Sequence, residues 1–233
     1  MTINIEEMAT FCKKKGLVFK SADIYGGLSG FFDYGPLGVE IKNNLKQSWY
    51  KFIVQERLNV VAQDGSIITN PKVWKSSGHL DTFADLILTT KKSKTKIRAD
   101  HFIEDKLKIP ADGLSAADIQ KLIDENSLKH NGEDFEDIKK FNLMFSTSVG
   151  PSDETSNVAY LRPETCQSIF PNFKLIQEVS RQKLPFGIGQ IGKAFRNEIS
   201  PREFLFRQRE FEQMELEFFY NPKIECVDLT DKH

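Results

Sequence analysis

Apolar residues recur at helical spacing in several stretches of the chain and at alternate positions in others. Ile5, Met8, Ala9 and Phe11 predict a short helix over residues 5–15, ended by Gly16. Glycines at 26, 27, 30, 35 and 38, with aromatics between them, predict turn-rich backbone, a tight loop and a hairpin. Pro36 then opens a second helix, at a position where a missing N–H costs nothing. Leu37, Ile41, Leu45, Trp49, Phe52 and Ile53 form its apolar face, which runs to about Arg57. "VVAQDGSIITN" reads as a strand, a turn at Asp64-Gly65 and another strand. "LRPETCQSIFPNFKLIQEVSRQK" reads as a helix with Ile169, Phe173 and Ile176 on one face and Pro171 bending or dividing it. "LPFGIGQIGKAFRNE" reads as a strand.

Residues 86–158 have a different texture. They hold the basic run "KKSKTKIR", a polar stretch with a helix capped by Ser115 and Asp118, and a turn at Asn131-Gly132. This pattern predicts an inserted subdomain, more exposed than its flanks, with the basic run on a solvated face.

The period-two rule sorts the segment "FRNEISPREFLFRQREFEQMELEFF" into faces. On the first strand Gln190, Gly192, Ala194, Arg196 and Glu198 fall together, with Ile191 and Phe195 opposite. On the second, Arg209, Phe211, Gln213, Glu215 and Glu217 fall together, while Glu212, Met214, Leu216 and Phe218 take the other side. An antiparallel hairpin results, joined by a long basic loop with arginines at 202 and 207. The small Gly192 and Ala194 leave room above the sheet, as a ligand floor requires. Arginine forks suit phosphate or carboxylate, a phenylalanine can stack a purine, and carboxylates can accept from an amine. The set suits a nucleotide plus an amino acid. Cross-strand ion pairs on a solvated sheet face remain the alternative.

Composition narrows the class. The chain has 233 residues, enough for one large domain or two small ones, with 39% hydrophobic and 28% charged residues. Its 19 phenylalanines suggest a real core, and its formal net charge of −1 gives no global field for nucleic acid. Cys12, Cys166 and Cys226 are widely spaced and odd in number, which argues against a disulfide framework or metal-ligand spacing and points to a reducing compartment. There is no secretory signal and no apolar run of membrane-spanning length, so a cytoplasmic location with no membrane partner is expected.

"FRNE", a loop, then "FRQREFEQMELEFF" resembles motif 2 of the class II aminoacyl-tRNA synthetases. "SADIYGGLSGFFDYGPLGVEIKNNLKQSWY", "SGHLDTFAD" and "YLRPETCQSIF" narrow the resemblance to the homodimeric glycyl-tRNA synthetases. The matches run from about residue 17 to 220 and are weak over roughly 103–140. The resemblance implies an α+β fold: an antiparallel β-sheet flanked by helices, here an incomplete core with an inserted subdomain. Residues 1–85 would be the first part of the core with motif 1, 86–158 the insertion, and 159–233 the core with the motif 2 hairpin.

It also implies a reaction. The glycine carboxylate attacks the α-phosphorus of ATP, with Mg²⁺, giving glycyl-adenylate and pyrophosphate; glycine then passes to tRNA(Gly). Arg196 would hold the α-phosphate and the substrate carboxylate. Glu198 would read the adenine amine, Phe211 would stack the ring, and Arg207 would reach the phosphates. Asn197, Phe206, Gln208, Arg209 and Glu210 complete the implied ATP set. Glu164 and Glu215 would grip the glycine ammonium, with Arg98, Phe211, Glu212, Gln213 and Met214 in the implied glycine set. Motif 1 would place residues around 37–70 at a two-fold contact.

The family's motif 3 and anticodon-binding domain have no counterpart here. A fragment of a longer chain, or one half of a split enzyme, is therefore expected, binding ATP weakly and making glycyl-adenylate below the normal rate. Two rivals carry different chemistry: another class II synthetase, of the seryl, prolyl or threonyl type, or a non-catalytic relative serving as a binding module.

Overall fold

The structure, a computed structural model, describes residues 4–150, 158–199, 201 and 204–223. Arg202 of the basic loop and Cys226 lie outside the described residues.

Helix α1 (Ile5–Lys14) starts where predicted, because Asn4 and Glu7 close a capping box. Glu6 and Glu7 in its first turn and Lys13 and Lys14 in its last complement the helix dipole. Strands β1 (Val18–Lys20) and β2 (Phe32–Tyr34) form the expected hairpin. Pro36 sits in the first turn of α2 (Pro36–Tyr50), which widens into a π turn over Lys51–Gln55. Gly38 lets α2 lie directly on the turn that leads into β1: a Cβ there would stand 1.9 Å from the Leu17 carbonyl oxygen.

The main sheet has the order β11 (Glu210–Phe219), β10 (Phe186–Phe195), β3 (Val60–Gln63). Its long pair is antiparallel, and β3 adds in parallel. On one side α7 (Ile169–Ser180) covers one end of the sheet, packing Ile169, Phe173 and Ile176 against Phe186, Ile188 and Phe219. Behind the sheet, Gly189 leaves room for Val54 and Trp49. One correction to expectation arises here. Residues 162–168 are loop and a 3₁₀ turn rather than helix, so Pro171 falls in the first turn of α7, where no N–H is needed, and neither bends nor divides it. The apolar ridge of α2 faces away from the core of this chain: Leu37, Ile41 and Leu45 are exposed, at 56%, 61% and 59%, and the helix turns Lys42 and Lys46 toward the sheet.

β4 (Ile68–Thr69), β9 (Val158–Leu161) and β8 (Ser146–Ser148) form a second small sheet. Short helices α3 (Pro71–Ser76) and α4 (His79–Thr82) lie between β4 and β5 (Ala84–Thr89). A third sheet, β6 (Lys96–Arg98), β5 and β7 (Lys139–Asn142), packs with α5 (Ala99–Leu107) and α6 (Ala116–Glu125). This unit is not merely exposed surface. Leu88, Ala99, Phe102, Ile103, Ala111, Ile119 and Ile123 give it a buried core of its own. Ser115 and Asp118 cap α6 as predicted, and Asn131 and Gly132 both have positive φ, as a tight primed turn demands. Residues 91–96 of the basic run are solvated, with Lys94 paired to Glu136.

Candidate active site

The register of the β10–β11 pair decides which side chains meet. Ala194 lies opposite Phe211, Gly192 opposite Gln213, Gln190 opposite Glu215 and Ile188 opposite Glu217. Directly opposed residues share a face, so Phe211, Gln213 and Glu215 stand together. Phe195–Glu210, Lys193–Glu212 and Ile191–Met214 are the pairs on the other side. Three residues of the implied set therefore fall on the other face of the strand, although Glu212 also borders the loop cavity beside Phe211. Glu212 pairs with Lys42 at 3.3 Å and Lys46 at 3.0 Å, tying β11 to α2. Glu210 pairs with Lys193, and Met214 backs the sheet beside Ile191. The alternation of a strand makes this unavoidable once Phe211 and Glu215 face forward.

The expected floor above Gly192 is not empty. Arg162 fills it, with Nε donating to the Lys193 carbonyl at 2.7 Å and Nη1 to the Gly65 carbonyl at 2.7 Å. Arg162 is only 2% exposed, and a Cβ on Gly192 would stand 2.1 Å from its Nη2. Beside it, the buried Gln190 accepts from Gly65 N (3.0 Å) and Ser168 Oγ (3.1 Å), and donates to the Thr165 carbonyl (3.1 Å). Thr165 in turn donates its backbone N–H to Gln213 Oε1 at 3.1 Å and its hydroxyl to the Glu215 carboxylate. The middle of the face is thus a hydrogen-bonded plug that holds the 162–168 loop against the hairpin, and the open ground lies to either side of it.

On one side are carboxylates. Glu164 accepts from Gln167 Nε2 at 3.0 Å, from Cys166 Sγ at 3.3 Å, and lies 3.0 Å from His79 Nε2. Burial pushes the Glu164 carboxyl up, but the hydrogen bonds from Gln167 and Cys166 and the charges of His79 and Arg196 outweigh it and hold it below the ordinary range. Glu217 moves the other way, raised by burial and by Glu215 and Glu164. Burial, then the Glu164 hydrogen bond, pushes the Cys166 thiol far up, so it remains a thiol.

Arg196 stands between this acidic group and the loop. Its Nε donates to the Pro163 carbonyl at 3.0 Å, and its guanidinium carbon lies 5.3 Å from the centre of the Phe211 ring and 5.6 Å from that of Phe83. Among the described residues no carboxylate lies within ion-pair distance of it. The charge is positioned by rings and a carbonyl and left available.

On the loop side, Arg196, Glu198, Phe206, Arg207, Gln208 and Phe211 line a cavity of about 320 Å³. Glu198 is paired with Arg207 at 2.8 Å, so the two groups assigned to adenine and to phosphate hold each other. Phe206 is 85% exposed, and Gln208 donates to the Leu205 carbonyl. Asn197 contributes its backbone N–H to the Leu143 carbonyl. Arg209 is diverted: its guanidinium donates to the carbonyls of Glu198 and Ser29, which clamps the loop to the glycine-rich 26–30 turn. Arg98 is not part of the solvated basic run. It is paired with Asp85 and Asp100 and borders a second cavity of about 460 Å³ that Arg207 also reaches. Sequence reasoning missed Arg162, Thr165, His79 and Phe83. The first two adjoin Glu164 in "LRPET", and the others stand in "SGHLDTFAD", so position beside a motif was the available signal.

Among the described residues, the one group of three clustered ligand atoms is a poor fit to Mg²⁺. The one cluster of potential ligands, Cys166, Glu215 and Glu217, includes a protonated thiol, whereas Mg²⁺ wants an octahedron of oxygens, several of them water.

Residues 145–231, which hold the β10–β11 hairpin, match the tRNA synthetase class II core domain (G, H, P, S and T). Relatives of the chain include glycine–tRNA ligases. The one from Staphylococcus saprophyticus is 50% identical over 233 residues, covering 95% of this chain and 50% of that protein. Those from Staphylococcus epidermidis and Staphylococcus aureus are 49% identical with the same coverage. The chain thus spans about half the length of the curated relatives it matches. Among solved structures, the RNA binding domain of threonyl-tRNA synthetase from Cryptosporidium parvum superposes with a TM-score of 0.52 at 17% identity, over 92% of this chain and 37% of that one. That likeness is one of fold.

Proposed function

We propose that this chain carries the adenylate-forming face of a glycine–tRNA ligase. The observation that supports it most is the unpaired Arg196 guanidinium, with the Phe211 ring on one side, Glu164 and Glu215 beyond the plug, and the Glu198–Arg207 pair across the loop cavity. In this reading the ammonium of glycine sits with Glu164 and Glu215. Its carboxylate is brought to Arg196, which also takes the α-phosphate. Adenine stacks on Phe211 and gives its amine to Glu198, once Arg207 has left that carboxylate for the β- and γ-phosphates. No protein nucleophile is used: the carboxylate oxygen bonds to phosphorus, the bond to the bridging oxygen breaks, and pyrophosphate leaves. Positioning and charge stabilisation supply the rate. Mg²⁺ bound to the ATP phosphates would supply charge neutralisation there; no residue of this chain is assigned to it. Transfer to tRNA(Gly) follows in the complete active site. The exposed ridge Leu37, Ile41, Leu45 is the surface through which two copies pair, and the protein works in the cytoplasm.

The test is Arg196→Ala, with ATP affinity and melting temperature measured on the same samples. Loss of ATP binding with a melting temperature changed by only a few degrees supports the reading. Unchanged ATP affinity, or a large loss of stability as the main effect, overturns it.

A further inference from the structure

The segment between β4 and β5 touches both Glu164 and Arg196 without placing a second carboxylate beside either. Gly78, at φ +82°, lets the chain reverse between α3 and α4. His79 and Phe83, four residues apart, then emerge on the same side. His79 Nε2 lies 3.0 Å from Glu164 Oε1, and its Nδ1 lies 2.9 Å from Ser77 Oγ. An ionised carboxylate can only accept, so His79 donates to Glu164 through its Nε2–H. The buried Trp74 meets the His79 ring edge-on at 5.3 Å, and His79 meets Phe83 at 5.4 Å. Phe83 ends the row with its ring 5.6 Å from the Arg196 guanidinium carbon.

We infer that His79 and Phe83 are positioning residues that set the distance between Glu164 and Arg196, and so fit the site to an amino acid with its ammonium and carboxylate on one carbon. This rests on the function proposed above. The choice of groups follows from the charges they hold. A second carboxylate beside Arg196 would compete with the substrate for its charge, while the face of a ring orients the guanidinium and leaves its N–H groups free. The imidazole N–H goes to Glu164 Oε1, as do the Gln167 and Cys166 donors, and so orients the carboxylate while leaving Oε2 for the ammonium. The row of rings back to Trp74, 1% exposed, ties both to the interior, so the two partners move together.

Calorimetric titration with two probes tests this: ATP alone, and glycyl-sulfamoyl-adenosine, a stable glycyl-adenylate mimic that also carries the ammonium. Phe83→Leu keeps apolar volume and removes the ring face; it is expected to weaken both probes about tenfold, the scale of a desolvated cation–π contact. Phe83→Tyr restores the ring and the affinity. His79→Ala is expected to weaken the mimic about tenfold and ATP by less than twofold, as a hydrogen bond to a charged group predicts, and His79→Gln, which can still donate to Glu164, recovers most of it. Melting temperatures taken alongside identify a loss caused by unfolding, which would move both probes and would not be rescued selectively. Wild-type affinities in Phe83→Leu and His79→Ala, or equal losses for both probes in His79→Ala, overturn the inference. If Arg196→Ala binds both probes as wild type does, the function itself is wrong and this inference goes with it. If Arg196→Ala loses them while the Phe83 and His79 variants do not, only this inference fails.

Discussion

Replacing Gly192 by alanine tests how the site is built. The added methyl would lie 2.1 Å from Arg162 Nη2 and 3.1 Å from its Cζ, against an ordinary contact of at least 3.4 Å. The guanidinium must withdraw by about 1.3 Å to reach that ordinary contact. Arg162 is held by two bonds of 2.7 Å, to the Lys193 and Gly65 carbonyls, and a withdrawal of that size breaks both. Hydrogen bonds from a charged donor contribute roughly 1.5–3 kcal/mol each, so their loss costs about 3–6 kcal/mol. Removing glycine from a strand returns only about 0.5–1 kcal/mol through the unfolded chain. The balance is a destabilisation of about 2–5 kcal/mol, or a fall in melting temperature of roughly 4–20 °C for a chain of this size. Thermal denaturation of four proteins settles it: wild type, Gly192→Ala, Arg162→Met and the double variant. Because the clash is with Arg162 alone, Gly192→Ala should cost little once methionine, shorter at its tip and uncharged, replaces it. A melting temperature within 2 °C of wild type for Gly192→Ala, or the same cost in both backgrounds, would refute a plug of this kind.

Arg207→Ala removes the partner of Glu198 together with the donor proposed for the ATP phosphates; titration calorimetry should show ATP affinity falling about tenfold while adenosine affinity does not fall. Glu217→Gln should stabilise the protein at neutral pH. A carboxyl raised in the folded state is unfavourable when ionised, and the gain over wild type should vanish below about pH 4, where both states are protonated. Glu212 has the opposite sign: burial raises its carboxyl, but Lys46 and Lys42 outweigh this and hold it low. Its stabilising effect is present above the unfolded glutamate range of about 4.3 and is lost as pH falls through the lower folded value, so Glu212→Gln should flatten the acid limb of a stability–pH curve followed by thermal denaturation. On the proposed pairing of two copies through the exposed ridge of α2, Ile41→Asp, which places a charge in that ridge, should sediment as a monomer where wild type sediments as a dimer.

Much of this protein is written locally. Capping boxes at Asn4 and Ser115, Pro36 at a helix start, the Asn131-Gly132 turn and the alternation along "GIGQIGKAF" and "EFEQMELEFF" each follow from chemistry within a few residues, and each element forms where that chemistry directs. The same alternation puts Phe211, Gln213 and Glu215 on one face and rejects Glu210, Glu212 and Met214 from it. Tertiary structure alone decided what lies on that face. Nothing near Gly192 in the chain announces that Arg162, thirty residues earlier, fills its space. Nor does local sequence reveal that Arg209 is consumed by carbonyls of the 26–30 turn, that Glu198 and Arg207 neutralise each other, or that His79 and Phe83 reach Glu164 and Arg196. Periodicity fixes direction relative to an element's own axis. Which distant group meets a side chain there, and whether it arrives as a partner or as an obstacle, depends on how separate elements pack.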